Sequence, residues 1–462
     1  MRNFVLIAIV LIQQITGGPL LAQQRPPSLQ ELTDSALKKD YSLANQQLDI
    51  ELSQLEKEKL RNAFLPRVTI SGSEAFTLSS ISLRTKEIKI PQLNIAIEDS
   101  RNRFTSTSDV VGINTDAAML LYSGGKIPWL KKAADEKIKA QTELTEQQRQ
   151  DIISDVISAY DQLALLKQVR VVLNESEKRL AANMKIADKS FSYGLITKYE
   201  RQKIEVAQAQ LASRITEYEG KRSIVQEKLY WLTNISIERI ATINNTLEPV
   251  TGIAAEEDVL NRPDIKALDA AIAAQSYKIR AEKTWFIPKI QALSSTKMAG
   301  SFWGRLNSSK PVLNGEKLSA DMPSLFIMPM FNIGVGFSWN ILDGHDGKHE
   351  VRKASIELVK FQNNKKDLFQ KLEVNLTKCR SDYTVSTAQV NTMKKQQETA
   401  SNALDQANKE YRSGLIKTSD LIDAEEDFEN ASLGIIQALY NQRRAAVELL
   451  KATGHLKPDS IK

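Results

Sequence analysis

Few residues of this chain are suited to metal chemistry, and the sequence around them argues against it. His345 and His349 lie four residues apart, a spacing that brings two imidazole rings to one metal ion when both residues share a helix. Gly347 interrupts that segment, and the sequence contains no His-Glu-x-x-His motif. The surrounding Asp-Gly-His-Asp-Gly lacks the remaining acidic ligands of a calcium loop. The two histidines are therefore interpreted as turn residues, and neither a metal site nor a cofactor is expected.

Nucleophilic and redox chemistry have no better support. Cys379 is the only cysteine, so the chain can form neither an intramolecular disulfide nor a cysteine-based zinc site. No Ser-His-Asp arrangement or phosphate-binding loop is recognisable. The net charge of +6 is small for 462 residues, and acidic and basic residues are interleaved as on solvated helices. The sequence therefore favours a protein that is not an enzyme and that does not bind nucleic acid.

Four sequence blocks occur twice, in the same order and about 220 residues apart. They are Phe-Leu-Pro-Arg at 64–67 with Phe-Ile-Pro-Lys at 286–289, two Gly-Lys turns at 125–126 and 347–348, two Gly-Leu-Ile triplets at 194–196 and 414–416, and a run of Glu, Gln, Ala and Leu after each triplet. A unit of this length is too long for a solenoid repeat and indicates two halves of one architecture. We place the first repeat at 23–234, an equatorial linker at 235–260 and the second repeat at 261–462.

The N-terminus has the pattern of a secretory signal peptide. Arg2 precedes an apolar run from Phe4 to Ile12, and small residues follow near Ala22. The apolar run is too short to cross a membrane as a helix. We expect residues 1–22 to be removed, with an uncleaved anchor as the alternative. Because no cysteine lies near the cleavage site, no lipid is expected on the mature N-terminus.

Long helices are predicted between the repeated blocks, at about 28–62, 126–191, 198–231, 262–285, 348–411 and 418–452. The clearest apolar stripe has the 3.5-residue period of a coiled coil and comprises Ile153, Val156, Tyr160, Leu163, Leu166, Val169 and Leu173. Gly194 and Gly414 lie where each long rod is expected to turn back, because glycine adopts positive φ at a helix C-terminus without steric cost.

Four strands are predicted, at about 66–78, 110–122, 288–298 and 331–342. In the last of them Ile333, Val335 and Phe337 alternate with glycine and small polar residues. This pattern is typical of a transmembrane β-strand, although a half-buried strand of a soluble protein has it too. Four strands cannot close a barrel around water, so several chains would have to share one. The segments 79–108 and 299–330 are rich in Ser, Lys, Arg and Asn and are expected to be exterior loops.

Together the signal peptide, the two repeats, the strand-to-helix turn Tyr-Ser-Gly-Gly-Lys, the opening Arg262–Ile265 and the paired Gly-Leu-Ile turns resemble the TolC-type outer-membrane efflux protein family. The resemblance implies a homotrimer with a twelve-stranded β-barrel in the outer membrane of a Gram-negative bacterium and an α-helical tunnel across the periplasm. Such a protein is a passive exit duct for efflux or type I secretion. It docks with a periplasmic adaptor protein and an inner-membrane transporter.

The resemblance also implies roles for particular residues at the periplasmic tip. The two turns would be adaptor-docking tips, formed by Gly194, Leu195, Ile196, Gly414, Leu415 and Ile416. The family's gate pattern matches Tyr411, Lys417, Asp420 and Asp423, with Glu200 standing in the first half where an aspartate is usual. Rings of Asp420 and Asp423 would favour cations at the constriction. Lys417 replaces a more usual arginine, so its link to a neighbouring hairpin would be weaker.

Two alternatives stay open at the level of sequence. The charged residues near Gly414 could be solvated side chains at a helix start, where acids are favoured anyway. The chain could also be a periplasmic coiled-coil adaptor or a structural protein without a pore. That alternative explains the helical hairpins, but it explains neither the four alternating strands nor the duplication. The sequence does not identify the transported substrate.

Overall fold

The computed structural model describes residues 25–97, 99–253 and 259–461, so the expected signal peptide at 1–22 lies outside the described residues. The chain is mostly helical, with one antiparallel sheet. It divides into two compact units. We call them the helical unit, formed by the described residues up to Glu51, by Ile138–Ala271 and by the chain from Phe361 onward, and the strand unit, formed by Leu52–Lys137 and Ile272–Lys360.

The helices are α1 (Leu29–Lys39), α2 (Tyr41–Asn62), α3 (Lys126–Ser192), α4 (Lys198–Thr233), α5 (Ile237–Ala241), α6 (Pro263–Glu282), α7 (Asp346–Arg412) and α8 (Thr418–Ala452). Helices α3 and α7 each have 67 residues, about 100 Å of helical rise. One expectation was wrong: 28–62 is not a single helix. It is interrupted at Asp40, whose backbone is extended and whose carboxylate accepts the Leu43 N–H at 2.7 Å, as a residue that starts a new helix does. Among the described residues, no helix has the length and hydrophobicity needed to cross a bilayer.

The predicted stripe on α3 packs in the core of the helical unit. Val156, Leu163, Leu166 and Leu173 are buried in one cluster with Leu211 and Leu229 of α4, and Tyr160 and Val169 pack against it. Ile153 instead joins a second cluster that contains Val447 of α8. Helix α3 therefore packs apolar residues of this stripe against two neighbouring helices, α4 and α8.

Residues 248–250, in the segment expected to be a linker, are fixed by hydrogen bonds from α7 and α8. The side-chain amide of Gln442 accepts the Val250 N–H at 2.9 Å and donates to the Val250 carbonyl at 2.7 Å. The Tyr383 hydroxyl donates to the same carbonyl at 2.9 Å. Arg443 donates to the Glu248 carbonyl at 2.9 Å and forms an ion pair with Asp161 on α3. Burial raises the pKa of Asp161 above its ordinary value, and the guanidinium of Arg443 opposes that shift.

The strand unit contains one antiparallel sheet. Its strands are β1 (Arg67–Thr85), β2 (Ile88–Ile90), β3 (Ile95–Ile97), β4 (Ser100–Tyr122), β5 (Lys289–Leu313) and β6 (Glu316–Ser338). The four long strands pair in the order β1-β4-β5-β6, and the small β2–β3 hairpin joins the end of β5. The expectation of long exterior loops at 79–108 and 299–330 was wrong for most of these residues, because the strands continue through them. Strands β5 and β6 meet at Asn314-Gly315, whose φ values of 49° and 83° suit a two-residue type I′ hairpin turn.

At its C-terminal end β6 is shorter than predicted. The strand ends at Ser338 instead of reaching residue 342. Beyond it the indole N–H of Trp339 donates to the Phe286 carbonyl at 2.8 Å. Large apolar side chains are exposed on both edge strands: Val68 and Ile70 of β1 and Ile333, Val335 and Phe337 of β6 are 65–77% exposed. In the described residues β1 and β6 each pair on one side only.

Candidate functional site

The two Gly-Leu-Ile triplets form hairpin turns with the same hydrogen bonds. In the first, the N–H of Gly194 donates to Phe191 at 2.9 Å and that of Leu195 donates to Ser190 at 2.8 Å. In the second, Gly414 donates to Tyr411 at 3.0 Å and Leu415 donates to Glu410 at 2.9 Å. This pairing is the Schellman motif, and it requires the positive φ that both glycines adopt, 73° and 72°. The prediction that each long rod turns back at its glycine is confirmed.

The helix after each turn starts with an acidic residue in its first turn, but the caps differ. The hydroxyl of Thr197 accepts the Glu200 N–H at 3.2 Å at the start of α4. At the start of α8 the position of Thr197 is taken by Lys417, which has no oxygen to offer. There the Asp420 carboxylate accepts the Lys417 N–H at 3.1 Å. Glu200 and Asp420 thus occupy corresponding positions, 220 residues apart. At the start of α4 the accepting side chain is that of the residue before the helix, whereas at the start of α8 it is that of the acidic residue inside the helix.

Three carboxylates form an exposed stripe along α8. Asp420, Asp423 and Asp427 line a groove of about 1050 Å³ between α8 and the stretch of α7 that includes Lys395. Their spacing of three and four residues puts them on one helix face. Sequence reasoning identified the first two, and Asp427 was missed although its spacing continues the same face. A row of carboxylates of this kind attracts cations electrostatically. Among the described residues, no group of three or more His, Cys, Asp and Glu side chains is placed to hold a metal ion.

Tyr411 lies in the core of its own hairpin. It is 9% exposed and packs in a cluster with Leu404 and Leu421. Its hydroxyl accepts a hydrogen bond from the Thr418 hydroxyl at 3.4 Å. It does not line the groove that contains the acidic stripe. Lys417 is exposed at the turn, where its backbone N–H donates to the Asp420 carboxylate. The structure therefore separates Tyr411 from Asp420 and Asp423 within one subunit.

A buried ionic cluster between the two hairpins was missed by sequence reasoning. Glu425 and Glu429 of α8 are each 6% exposed. Arg179 of α3 contacts Glu425 with 2.8 Å between Nε and Oε2, and Arg214 of α4 contacts Glu429. Asn183 donates to the other Glu425 oxygen at 3.4 Å. Burial raises the pKa of Glu425, Arg179 opposes the shift, and the charge of Glu429 adds to it. This cluster ties α8 to both helices of the first hairpin.

The outer ends of the turns expose large apolar side chains. Tyr193, Leu195 and Leu415 are 78%, 75% and 75% exposed, whereas Ile196 and Ile416 are partly buried. Ile416 packs on the same cluster as Tyr411. Of the six predicted tip residues, the two leucines therefore offer the apolar surface, and the isoleucines and glycines shape the turn. Exposed apolar side chains at the end of a helical hairpin are suited to contact with a partner protein.

A family model described as "Outer membrane efflux protein" matches residues 32–234 and 256–455. The chain is 21% identical over 389 residues to the outer membrane efflux protein BepC of Brucella suis biovar 1 (strain 1330), covering 80% of this chain and 78% of that one. Among solved structures, the outer-membrane channel OprN superposes with a TM-score of 0.71 at 16% identity, over 93% of this chain and 90% of that one. The outer membrane protein VceC of Vibrio cholerae gives a TM-score of 0.68 at 16% identity, over 92% and 96%.

Proposed function

The chain belongs to the outer membrane efflux protein family, and from that premise we propose that it is the outer-membrane exit duct of a tripartite efflux or type I secretion system. In this function the protein conducts substrates passively from an inner-membrane transporter and a periplasmic adaptor to the exterior of a Gram-negative cell. The family is one of channel proteins, so no reaction is assigned to any residue.

The observation that carries the proposal is the exposure of the sheet. Strands β1 and β6 present apolar side chains to their surroundings, and each has one edge without a partner in the described chain. An exposed, apolar, unpaired strand edge promotes uncontrolled pairing in water, and lipid does not tolerate unpaired backbone groups. Both problems are solved if β6 of one copy pairs with β1 of the next. Four long strands from each of three copies would then close one barrel in the outer membrane.

The hairpin tips are the proposed contact with the adaptor. Leu195 and Leu415 are exposed on turns with matching hydrogen bonds, so the two hairpins offer an adaptor two similar apolar knobs per subunit. This similarity supports the proposed division into repeats at 23–234 and 261–462, joined by the linker 235–260. An adaptor with two similar apolar grooves would bind Leu195 and Leu415 at the same time.

The acidic stripe is the proposed gate. In a threefold assembly Asp420 and Asp423 would be repeated around the axis and would favour cations at the constriction. The exposed side chain of Lys417 would be available to a carboxylate of a neighbouring subunit. Glu200 would contribute from the first hairpin. Tyr411 would act by bracing its own turn through Thr418.

The mass of the detergent-extracted particle from the outer-membrane fraction tests the proposal. Light scattering with the detergent contribution subtracted should give three chains per particle. A monomer recovered only in the soluble periplasmic fraction would contradict it. That result would favour a periplasmic coiled-coil protein without a pore, although such a protein has no use for four long strands.

A further inference from the structure

A basic pocket of about 310 Å³ lies within the helical unit, away from the turns. It is formed between α3 and α4 and is bounded at one side by Ala241, the last residue of α5, and by Ile243. Its polar lining consists of Lys167, Arg170 and Asn174 from α3 and of Tyr218, Arg222 and Gln226 from α4. The α3 residues recur at intervals of three and four, and those of α4 at intervals of four, so each helix gives one face to the pocket.

The charge of this pocket is not neutralised by the residues that line it. Three of them are cationic and none is acidic. The carboxylate paired with Arg222 is that of Glu219, 3.8 Å away and beyond hydrogen-bond distance. Lys167 contacts the neutral side-chain amide oxygen of Asn244. Three like charges in one concavity repel each other, and an anion would relieve that repulsion.

Arg170 is the residue that points to a ligand. Its guanidinium lies 5.7 Å from the ring centroid of Tyr218, which is itself buried. Stacking on the Tyr218 ring restricts the orientation of the planar guanidinium group of Arg170. The Nη1 atom of Arg170 is buried and has no hydrogen-bond partner among the described residues. A buried donor without a partner costs free energy that a correctly placed acceptor would recover.

We propose that the basic pocket binds a compact oxyanion with two negative charges, of the phosphate or dicarboxylate type. A guanidinium fork pairs with two oxygens of such a group at once. The volume suits a small molecule or a single charged group. Bound there, the anion joins α3 to α4 about 36 Å of helical rise from the Gly194 turn. The pocket lies within one subunit, so the proposal goes beyond the exit-duct function and requires neither a pore nor a trimer.

The test is calorimetric titration of the purified full-length protein in detergent at pH 8. Sodium phosphate and sodium malonate are titrated separately, with the ionic strength held constant by sodium chloride. We expect saturable binding of at least one of the two anions. Tighter binding of phosphate identifies a tetrahedral ligand, and tighter binding of malonate identifies a planar carboxylate ligand.

Variants separate this pocket from general attraction of anions. Arg170→Gln and Arg222→Gln are each expected to weaken binding on the order of 10- to 100-fold, the loss typical of a charged hydrogen-bond partner. Arg149→Gln, also on α3 but paired with Glu146 outside the pocket, should bind like the wild type. Should Arg170→Gln fail to fold, the partly exposed Arg222 carries the test. Absence of saturable heat with both anions, or equal affinity in Arg222→Gln and the wild type, would overturn the proposal.

Discussion

Arg443 and Asp161 form an ion pair that is almost completely buried, with 2.8 Å between Nε and Oδ2 and both side chains 3% exposed. The pair joins α8 to α3, and the same guanidinium holds the linker through the Glu248 carbonyl. Through these two interactions Arg443 connects α8 both to α3 and to the segment that contains Glu248. A buried charge of this kind is tolerated only while its partner is present.

Removing one member of this pair should destabilise the protein strongly. Asp161→Asn removes the carboxylate that Arg443 contacts with Nε and Nη2, so we expect the free energy of unfolding to fall by about 3–5 kcal/mol. Denaturant unfolding followed by circular dichroism measures the loss. The double variant Asp161→Leu with Arg443→Met is the control: it leaves no buried charge without its partner, so it should lose less stability than Asp161→Asn, although it also removes the bond to the Glu248 carbonyl. Equal stability of the single variant and the wild type would contradict this prediction.

Glu425 should make stability depend on pH. Its pKa is raised in the folded state by burial, so the folded protein holds this proton more tightly than the unfolded chain. The contribution to stability is complete below the ordinary pKa of glutamate and is lost as the pH rises through the folded-state value. Glu425→Gln cannot ionise, so acidification from pH 7.5 toward pH 5 should raise its thermal midpoint less than that of the wild type. Glu426→Gln, which alters the exposed neighbour, should behave like the wild type.

The positive φ of Gly414 gives a prediction about docking. A Cβ added there meets no atom within 4 Å, so backbone strain alone decides the effect of a substitution. Gly414→Val should distort the turn at a cost of about 1–2 kcal/mol and reduce cross-linking to the adaptor. Gly414→Asn adds a side chain that tolerates the left-handed region, so cross-linking should stay near the wild-type level. Unchanged cross-linking in the valine variant would remove the assignment of this turn as a docking tip.

The acidic stripe should set the ion preference of the open channel. Asp420→Ala with Asp423→Ala should reduce cation selectivity in single-channel recordings, since in the proposed gate these carboxylates attract cations. Adding Asp427→Ala should reduce it further, because Asp427 lines the same groove. Glu426→Ala removes a charge of the same sign from another face of α8 and serves as the control. Identical selectivity in the double variant and the wild type would exclude a carboxylate ring at these positions.

Much of the fold follows from the sequence because it depends on local interactions. The turns at Gly194 and Gly414 are closed by hydrogen bonds that span at most five residues, so the triplet alone identifies them. The bounds of α3 and α7 agree with the predicted ones within two residues. Two of the wrong predictions also came from short sequence features that were misinterpreted. Asp40 was read as a helical residue although it caps the next helix, and the Asn314-Gly315 turn was overlooked, so two strands were predicted too short.

What the sequence by itself determined is the set of repeated blocks, the helical hairpins with their turns, and the presence of strands such as β6, from their alternating residues. Only the tertiary structure decided which charges are buried. Asp423 and Glu425 are near neighbours in one acidic run, yet one is exposed in a groove and the other meets Arg179, 246 residues away in the chain. Whether a carboxylate is solvated or paired depends on which helix faces it. That is decided by the packing of distant segments, which no local pattern encodes.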